Sequence, residues 1–365
     1  MKLASNLTVP LNPYKALPKV ELHRHLEGSL RLQTMLDIAR AHGVTVPASV
    51  LRLSGMVQVQ DEDPLTFQNF LAKFNTLRLF YRSPEVIHRV TREAVEDAAH
   101  DHIKYLELRF TPVALSRAER FPLHDVMDWV CSSAAQAAQE FGITVRLIAS
   151  VNRHESAELA EQVAWLAASQ MKHGIVGMDL AGNEAEFSAK PFAPIFAEAK
   201  QAGLKLTIHA GEWGGAENVR EAIEVLGADR IGHGVRVMED EDVVALARER
   251  GTPFEVCPTS NYQSGVVPAL GVHPLPRMLQ AGLNVTVNTD DPSVSRIDLS
   301  HEYKLVCEDL GLPLDILRGL ILAAAQASFL PPAQKESLVA RLQKEIQSKH
   351  IRPKGDRYAR LFRCA

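Results

Sequence analysis

The sequence predicts an α/β fold, a (β/α)8 barrel of the TIM type with an insertion after strand 1 and extra C-terminal helices. Eight short apolar or β-branched runs alternate with longer segments of helical periodicity. This pattern favours parallel strands joined by helical crossovers. Eight such units close naturally into a barrel. An open doubly wound sheet is the competing layout, and it is disfavoured because no glycine-rich dinucleotide turn follows the first strand.

The strands are short, and polar residues follow most of them. The first strand carries Leu17, Val20 and Leu22 and leads into His23 and His25. The later strands are predicted at 104–110, 144–151, 175–180, 204–208, 230–231, 253–256 and 284–287.

Helices are predicted where apolar residues recur at helical spacing. Ser83 and Pro84 are typical of a helix start, with a serine N-cap and proline at the first position. The predicted helices span 29–42, 65–81, 83–101, 124–141, 156–172, 191–202, 216–226, 240–250, 274–281, 299–310, 314–326 and 332–348, and residues 43–63 are predicted to be irregular. We find no linker, so we expect one domain over 1–365, with the barrel at about 17–296.

The composition is that of a soluble globular enzyme, with 46% hydrophobic and 23% charged residues. A net charge of −4 gives no electrostatic reason to expect nucleic-acid or membrane binding. Four widely spaced cysteines without a CxxC pair indicate a reducing cytoplasm. No apolar run is long enough for a signal peptide or a membrane span. The oligomeric state is left open by the sequence.

Two histidines mark the end of the first strand. Side chains alternate along a strand, so His23 and His25 point to one face. Taken alone, this spacing is a weak indication of a metal site.

The ends of later strands strengthen this indication. His209 and Glu212 follow the fifth strand, His233 follows the sixth, and Asp290 and Asp291 follow the eighth. In a barrel these ends converge on one site. Histidines with a carboxylate suit a divalent metal, and Zn²⁺ is the usual ion for such ligands.

The fourth strand ends in Met178-Asp179-Leu180-Ala181-Gly182, without the lysine that often bridges two metals in barrel hydrolases. One ion per chain is therefore favoured, which would lower the pKa of a bound water. Its predicted ligands are His23, His25, His209 and Asp290. His233 remains as a base or orienting group, and Glu212 as an acid whose pKa is raised by burial.

Six stretches together resemble the adenosine deaminase family of metal-dependent barrels: LPKVELHRHLEGSLR, GMDLAGNE, TIHAGE, RIGHG, EVCPTSN and VNTDDP. They occur in the family's order from about residue 17 to 296. The resemblance implies a zinc-dependent aminohydrolase of cyclic amidine C–N bonds. Its substrate would be a small aminopurine nucleoside, first of all adenosine or deoxyadenosine, which yields the inosine product and ammonia.

The resemblance also implies residue roles. His23, His25, His209 and Asp290 match the family's zinc ligands. Glu212 matches the acid that protonates purine N1, and His233 the residue that positions and deprotonates the water. Asp291 matches the second aspartate, which hydrogen-bonds the hydroxide and is also expected to bind the substrate. The backbone N–H of Gly182 would meet purine N3. The helix at 65–81 matches the apolar lid, so Phe67, Phe70 and Phe74 are expected to contact the substrate.

The main departure is Glu27, where adenosine deaminases typically have an aspartate that contacts the ribose 5′-hydroxyl. The Glu27 stretch is more similar to adenine and aminodeoxyfutalosine deaminases, whereas Leu180 to Glu184 keeps the nucleoside-type turn. Adenine, methylthioadenosine and aminodeoxyfutalosine are therefore also candidate substrates.

Two different functions also fit the pattern of residues. An amide or ester hydrolase would use the same barrel and metal, and a nucleoside-binding protein would bind without turnover. Nucleic-acid deamination is disfavoured, because the H-x-E and P-C-x-x-C signature of those zinc enzymes is absent.

Overall fold

The computed structural model describes residues 12–348. Eight strands form one sheet in which neighbours follow chain order and every neighbouring pair is parallel. The strands are β1 Lys19–His25, β2 Ile103–Phe110, β3 Thr144–Asn152, β4 Ile175–Ala181, β5 Lys205–Ala210, β6 Arg230–His233, β7 Pro253–Val256 and β8 Asn284–Val287. The predicted TIM-type barrel is confirmed.

The barrel closes where the chain beyond β8 meets β1. Arg24 and Asp290 form a parallel bridge. The His25 N–H donates to the Asp290 carbonyl at 2.9 Å, and the Asp290 N–H donates to the His23 carbonyl at 2.9 Å. Three of the predicted metal-binding residues thus lie at the closure itself.

Helices surround the barrel. Among the described residues they are α1 Leu32–His42, α2 Val50–Val57, α3 Phe67–Leu77, α4 Pro84–His100, α5 Pro112–Ser116, α6 Leu123–Phe141, α7 Ala157–Ser169, α8 Ala193–Gln201, α9 Ala216–Glu224, α10 Glu241–Arg250, α11 Pro258–Gln263, α12 Leu275–Gln280, α13 Pro292–Ser295, α14 Leu299–Lys304, α15 Leu314–Ala327 and α16 Pro332–Gln347. A π-helical turn, Leu305–Asp309, continues α14.

The prediction of irregular structure over 43–63 was wrong for α2. Serine and glycine inside this short helix lower its intrinsic propensity. Tertiary packing compensates, because Leu53 and Val57 are buried in the core. The Lys73 ammonium also donates to the Gly55 carbonyl at 3.2 Å, which ties α2 to α3.

Three short helices directly after strands were not predicted. α5, α11 and α13 follow β2, β7 and β8, and each begins with proline at its first turn. Proline has the φ that this position needs and no N–H to leave unpaired. These helices turn the chain sharply at the end of the barrel where the predicted site lies.

The insertion and the C-terminal helices lie as predicted. Helices α1 to α4 separate β1 from β2, and α3 reaches over the carboxyl end of the barrel, where Phe70 and Phe74 line a cavity. α15 packs on β8 and β1, and α16 packs on α15. Between residues 12 and 348, no helix is both long and apolar enough to cross a membrane. Cys131, Cys257 and Cys307 are free thiols, and Cys364 lies outside the described residues.

Candidate active site

The four predicted metal ligands come together at the carboxyl end of the barrel. Candidate ligand atoms of His23, His209, His233 and Asp290 lie within 4.8 Å of one another. His25 joins them, with its Nε2 3.2 Å from Asp290 Oδ1. Four imidazoles and a carboxylate therefore crowd into one buried space, a donor set that suits a divalent metal.

Two buried carboxylates orient the histidines. Glu255 is paired with His23 Nδ1 at 2.8 Å, and Asp179 is paired with His209 Nδ1 at 2.8 Å. When a carboxylate holds the Nδ1 proton of a ligand histidine, the Nε2 lone pair is directed at the metal. His23 Nε2 is buried and has no hydrogen-bond partner. Burial lowers the pKa of His209 to about 4, so its imidazole is neutral, as a ligand must be. The residues present fit a metal ion.

A buried arginine supports both carboxylates. Arg109 on β2 lies 2.7 Å from Glu255 and 3.4 Å from Asp179. Burial alone would raise the pKa of each carboxyl group, but the nearby cations outweigh it and hold both pKa values below the usual range. Arg230 pairs with Glu255 from the far side. The carboxylates that orient the histidines are therefore ionised.

The Asp290–Asp291 pair follows β8 in a constrained turn. Asp290 adopts φ +66°, a region that non-glycine residues rarely occupy. The Ser260 hydroxyl donates to Asp290 Oδ2 at 2.7 Å. A Cβ on Gly28 would lie 1.8 Å from Asp291 Oδ1, so only glycine leaves room for this carboxyl group. Burial and the neighbouring Asp290 raise the pKa of Asp291.

His233 and Glu212 face the same centre. His233 Nε2 lies 3.7 Å from Glu212 Oε2 and 3.9 Å from Asp290 Oδ2. Burial first, and then the neighbouring carboxylates, raise the pKa of Glu212 well above its ordinary value. The raised pKa favours the protonated form of Glu212, which can donate a proton.

Glu184 positions the Glu212 turn. Its carboxylate accepts hydrogen bonds from the backbone N–H groups of Gly211 at 3.0 Å and Trp213 at 2.6 Å, on either side of Glu212. It also accepts from the Asn218 side chain at 3.0 Å. The turn after the fourth strand thus holds the acid that follows the fifth strand in place.

A cavity opens above these residues, with about 610 Å³ of empty space when the open solvent at its mouth is included. From the metal cluster, His25, His209, His233 and Asp290 line it. The other residues of the sequence analysis in its lining are Glu27, Gly182, Phe70, Phe74 and Asp291. Phe67 is not part of the lining. It stacks on Trp213, which does line the cavity, and the two ring centroids are 5.3 Å apart.

Comparison with known proteins identifies the fold and the chemistry. A family model described as adenosine deaminase matches residues 18–345. The adenosine deaminase of Klebsiella pneumoniae strain 342 is 37% identical over 331 residues, 90% of this chain and 98% of that protein. The chain belongs to the adenosine deaminase family. It is accordingly a hydrolytic deaminase that acts on amidine C–N bonds.

Solved structures of the family agree. The adenine deaminase of Arthrobacter aurescens has a TM-score of 0.84 at 29% identity, covering 91% of this chain and 100% of that one. Arabidopsis ADAL complexed with GMP has a TM-score of 0.81 at 27% identity, covering 91% and 98%. Both carry the same barrel.

Several residues of this deaminase site were missed by sequence reasoning. Glu255, Asp179 and Arg109 lie inside strands, and Glu184, Ser260 and Asn261 lie in the segments after them. Charged residues within otherwise apolar strands were the available signal, because an ionised side chain is rarely buried without a partner. Their partners, however, come from distant strands.

Proposed function

We propose that this enzyme is a zinc-dependent deaminase of 6-aminopurine nucleosides, with adenosine or deoxyadenosine as substrate and inosine or deoxyinosine plus ammonia as products. One zinc ion per chain would be held by His23, His25, His209 and Asp290. The observation that carries this proposal is the buried histidine–aspartate cluster at a cavity that is also lined by Glu212, a buried carboxyl group whose pKa is raised.

A divalent ion held by this cluster would supply Lewis acidity and would lower the pKa of a bound water. Glu212 holds a proton at the carboxyl group and donates it to purine N1, which makes C6 more electrophilic. His233 and Asp291 line the same cavity and orient the attacking oxygen. The backbone N–H of Gly182 meets purine N3 and sets the plane of the base.

Glu27 supports recognition of a hydroxyl group. Its Oε1 accepts a hydrogen bond from the Thr111 backbone N–H at 2.7 Å. Its Oε2 is buried and has no partner. A buried acceptor without a donor is costly, so a substrate hydroxyl that donates to it would bind favourably. The longer glutamate thus remains compatible with a ribose.

A second candidate substrate is an aminopurine nucleoside that carries a carboxylate, such as aminodeoxyfutalosine. Arg78 is the only lysine or arginine in the cavity lining among residues 12–348. Its Nε is buried without a hydrogen-bond partner, and no described carboxylate lies within ion-pair distance of it. An arginine in this state suits an anionic group on the substrate.

The deciding experiment is a substrate panel scored by ammonia release and kcat/KM. It contains adenosine, deoxyadenosine, adenine, methylthioadenosine, aminodeoxyfutalosine and two simple lactones. We expect the highest kcat/KM with adenosine or deoxyadenosine, and one zinc ion per chain by elemental analysis. Hydrolysis of lactones without deamination would assign an amide or ester hydrolase, and binding without ammonia release would assign a nucleoside-binding protein.

Arg78→Gln separates the two substrate candidates. If Arg78 binds a carboxylate, kcat/KM for aminodeoxyfutalosine falls roughly 10- to 100-fold, since a hydrogen bond to a charged group is worth about 1.5–3 kcal/mol. Adenosine turnover stays unchanged. The exposed Arg52→Gln is the matched control. The cytoplasmic location and the absence of nucleic-acid partners stay predictions.

A further inference from the structure

A chain of three buried side chains leads away from the centre behind His233. His233, Asn261 and His273 are each at most 3% exposed. His233 Nδ1 lies 3.1 Å from the Asn261 amide nitrogen, and the Asn261 amide oxygen lies 3.4 Å from His273 Nε2. His273 belongs neither to the metal cluster nor to the cavity lining. Any effect of His273 on the reaction must therefore pass through its neighbours.

The direction of the hydrogen bonds that connect these three side chains is set at His273, the member farthest from the centre. The backbone N–H of Leu275 lies 3.1 Å from His273 Nδ1. A backbone N–H can only donate, so His273 Nδ1 must accept. Burial lowers the pKa of His273 to about 3, which leaves the imidazole neutral with its single proton on Nε2.

The remaining links follow in order. The His273 Nε2–H donates to the oxygen of the Asn261 amide, which places the amide NH2 group next to His233. That NH2 group donates to His233 Nδ1, since an amide nitrogen cannot accept. A neutral His233 whose Nδ1 accepts must carry its proton on Nε2. Nε2 is the atom that faces Glu212 and Asp290.

We infer that Asn261 and His273 are positioning residues that hold His233 in the Nε2–H tautomer, so that His233 presents a hydrogen-bond donor to the reacting oxygen. His233 then orients and stabilises an oxygen with negative charge. A base at that atom would need the opposite tautomer. This narrows the role of His233, which the sequence left as either a base or an orienting group.

The local fold supports this role. Asn261 lies in α11, whose neighbouring residue Ser260 donates to Asp290. His273 lies just before α12, where its side chain accepts from an N–H that the helix itself leaves unpaired. One short helix therefore orients both Asp290 and His233, and the start of the next helix fixes the proton position.

The first test is the tautomer itself, observed by histidine ¹⁵N NMR of the full chain as purified. Proton-bearing and lone-pair ring nitrogens resonate in separate regions, and His233→Ala identifies the His233 signals. We expect Nε2 of His233 to carry the proton and Nδ1 to lack it. A protonated Nδ1 in the wild-type protein overturns the inference, and this result needs no variant beyond the assignment.

The second test reverses the direction of the hydrogen bond between residue 261 and His233 Nδ1. In Asn261→Asp a carboxylate can only accept from His233, so the His233 proton should move to Nδ1. The exposed Asn75→Asp is the matched control and should leave the tautomer unchanged. An unchanged tautomer in a folded Asn261→Asp protein contradicts the inference.

The third test is kinetic and rests on the proposed function. His273→Leu should lower kcat roughly 10- to 100-fold, the scale of lost orienting partners, with KM and metal content unchanged. His273→Gln keeps an N–H donor towards Asn261 and should restore most of kcat. Equal losses in both variants would indicate a packing role instead. If no aminopurine is turned over, the proposed function fails while the tautomer measurement still decides the inference.

Discussion

We call the metal-binding cluster together with Glu212 the floor of the cavity, and Phe74 and Arg78 its wall. The two regions are built differently. On the floor, His23, His209 and His233 each have a partner at Nδ1, and these partners are buried. On the wall, Phe74 and Arg78 are only partly buried, and the Arg78 Nε has no partner. The hydrogen bonds of the floor therefore hold each of these histidines in one orientation, whereas the wall contributes the apolar ring of Phe74 and the positive charge of Arg78. We infer that the floor sets the reaction and the wall sets the choice of substrate.

Removal of the metal should have the largest effect on the floor. Dialysis against a chelator is expected to lower kcat on the order of 10³-fold or more, because Lewis-acid activation is worth several kcal/mol. Zinc added back should restore the rate, as measured by ammonia release alongside elemental analysis. Full activity with the metal content at background would mean that the floor works without an ion.

Glu212→Gln tests the acid on the floor. We expect kcat to fall about 10²-fold or more, the usual scale of a lost general acid. The exposed Glu224→Gln is the control and should be neutral. Since burial raises the pKa of Glu212, the protonated form persists to a higher pH than in an ordinary glutamate, and the wild-type rate should fall as pH rises through that raised pKa. This high-pH loss should disappear in Glu212→Gln. An unaffected rate in the variant removes Glu212 from the mechanism.

Asp179→Asn tests the orientation of a floor histidine. Loss of the partner at His209 Nδ1 should weaken metal binding roughly 10- to 100-fold, measured by chelator competition. The exposed Asp309→Asn is the matched control. Unchanged affinity in a folded variant would show that Asp179 serves the barrel core through Arg109 and Ser150 rather than the metal site.

Phe74→Ala tests the wall and should produce the smallest change among these experiments. The half-buried ring lines the cavity, and loss of its apolar contact should raise KM about 10-fold, given roughly 1.5–3 kcal/mol for a fully buried side chain. We expect kcat to stay within about twofold, because the ring would contribute equally to binding of the substrate and of the transition state. Leu79→Ala, at an exposed position of the same segment, is the control. A fall in kcat with unchanged KM would show that Phe74 acts in the chemical step, and the distinction between wall and floor would then not hold.

Prediction from the sequence succeeded where local pattern and fold geometry agree. His23, His25, His209 and Asp290 lie at strand ends, and the ends of parallel barrel strands must meet. It failed for α2, where packing of Leu53 and Val57 outweighs a weak local propensity. It also missed Glu255, whose partner Arg109 lies 146 residues away in the chain.

The sequence by itself determined the barrel, the family and the residues that converge at its carboxyl end. These properties depend on periodicity and residue type, which can be read along the chain. Only the tertiary structure decided which nitrogen of each histidine faces the centre, that the pKa of Glu212 is raised, and that Phe67 stacks on Trp213 outside the cavity lining. Tautomers, pKa values and side-chain contacts depend on burial and on partners from distant segments, and these exist only once the barrel has closed.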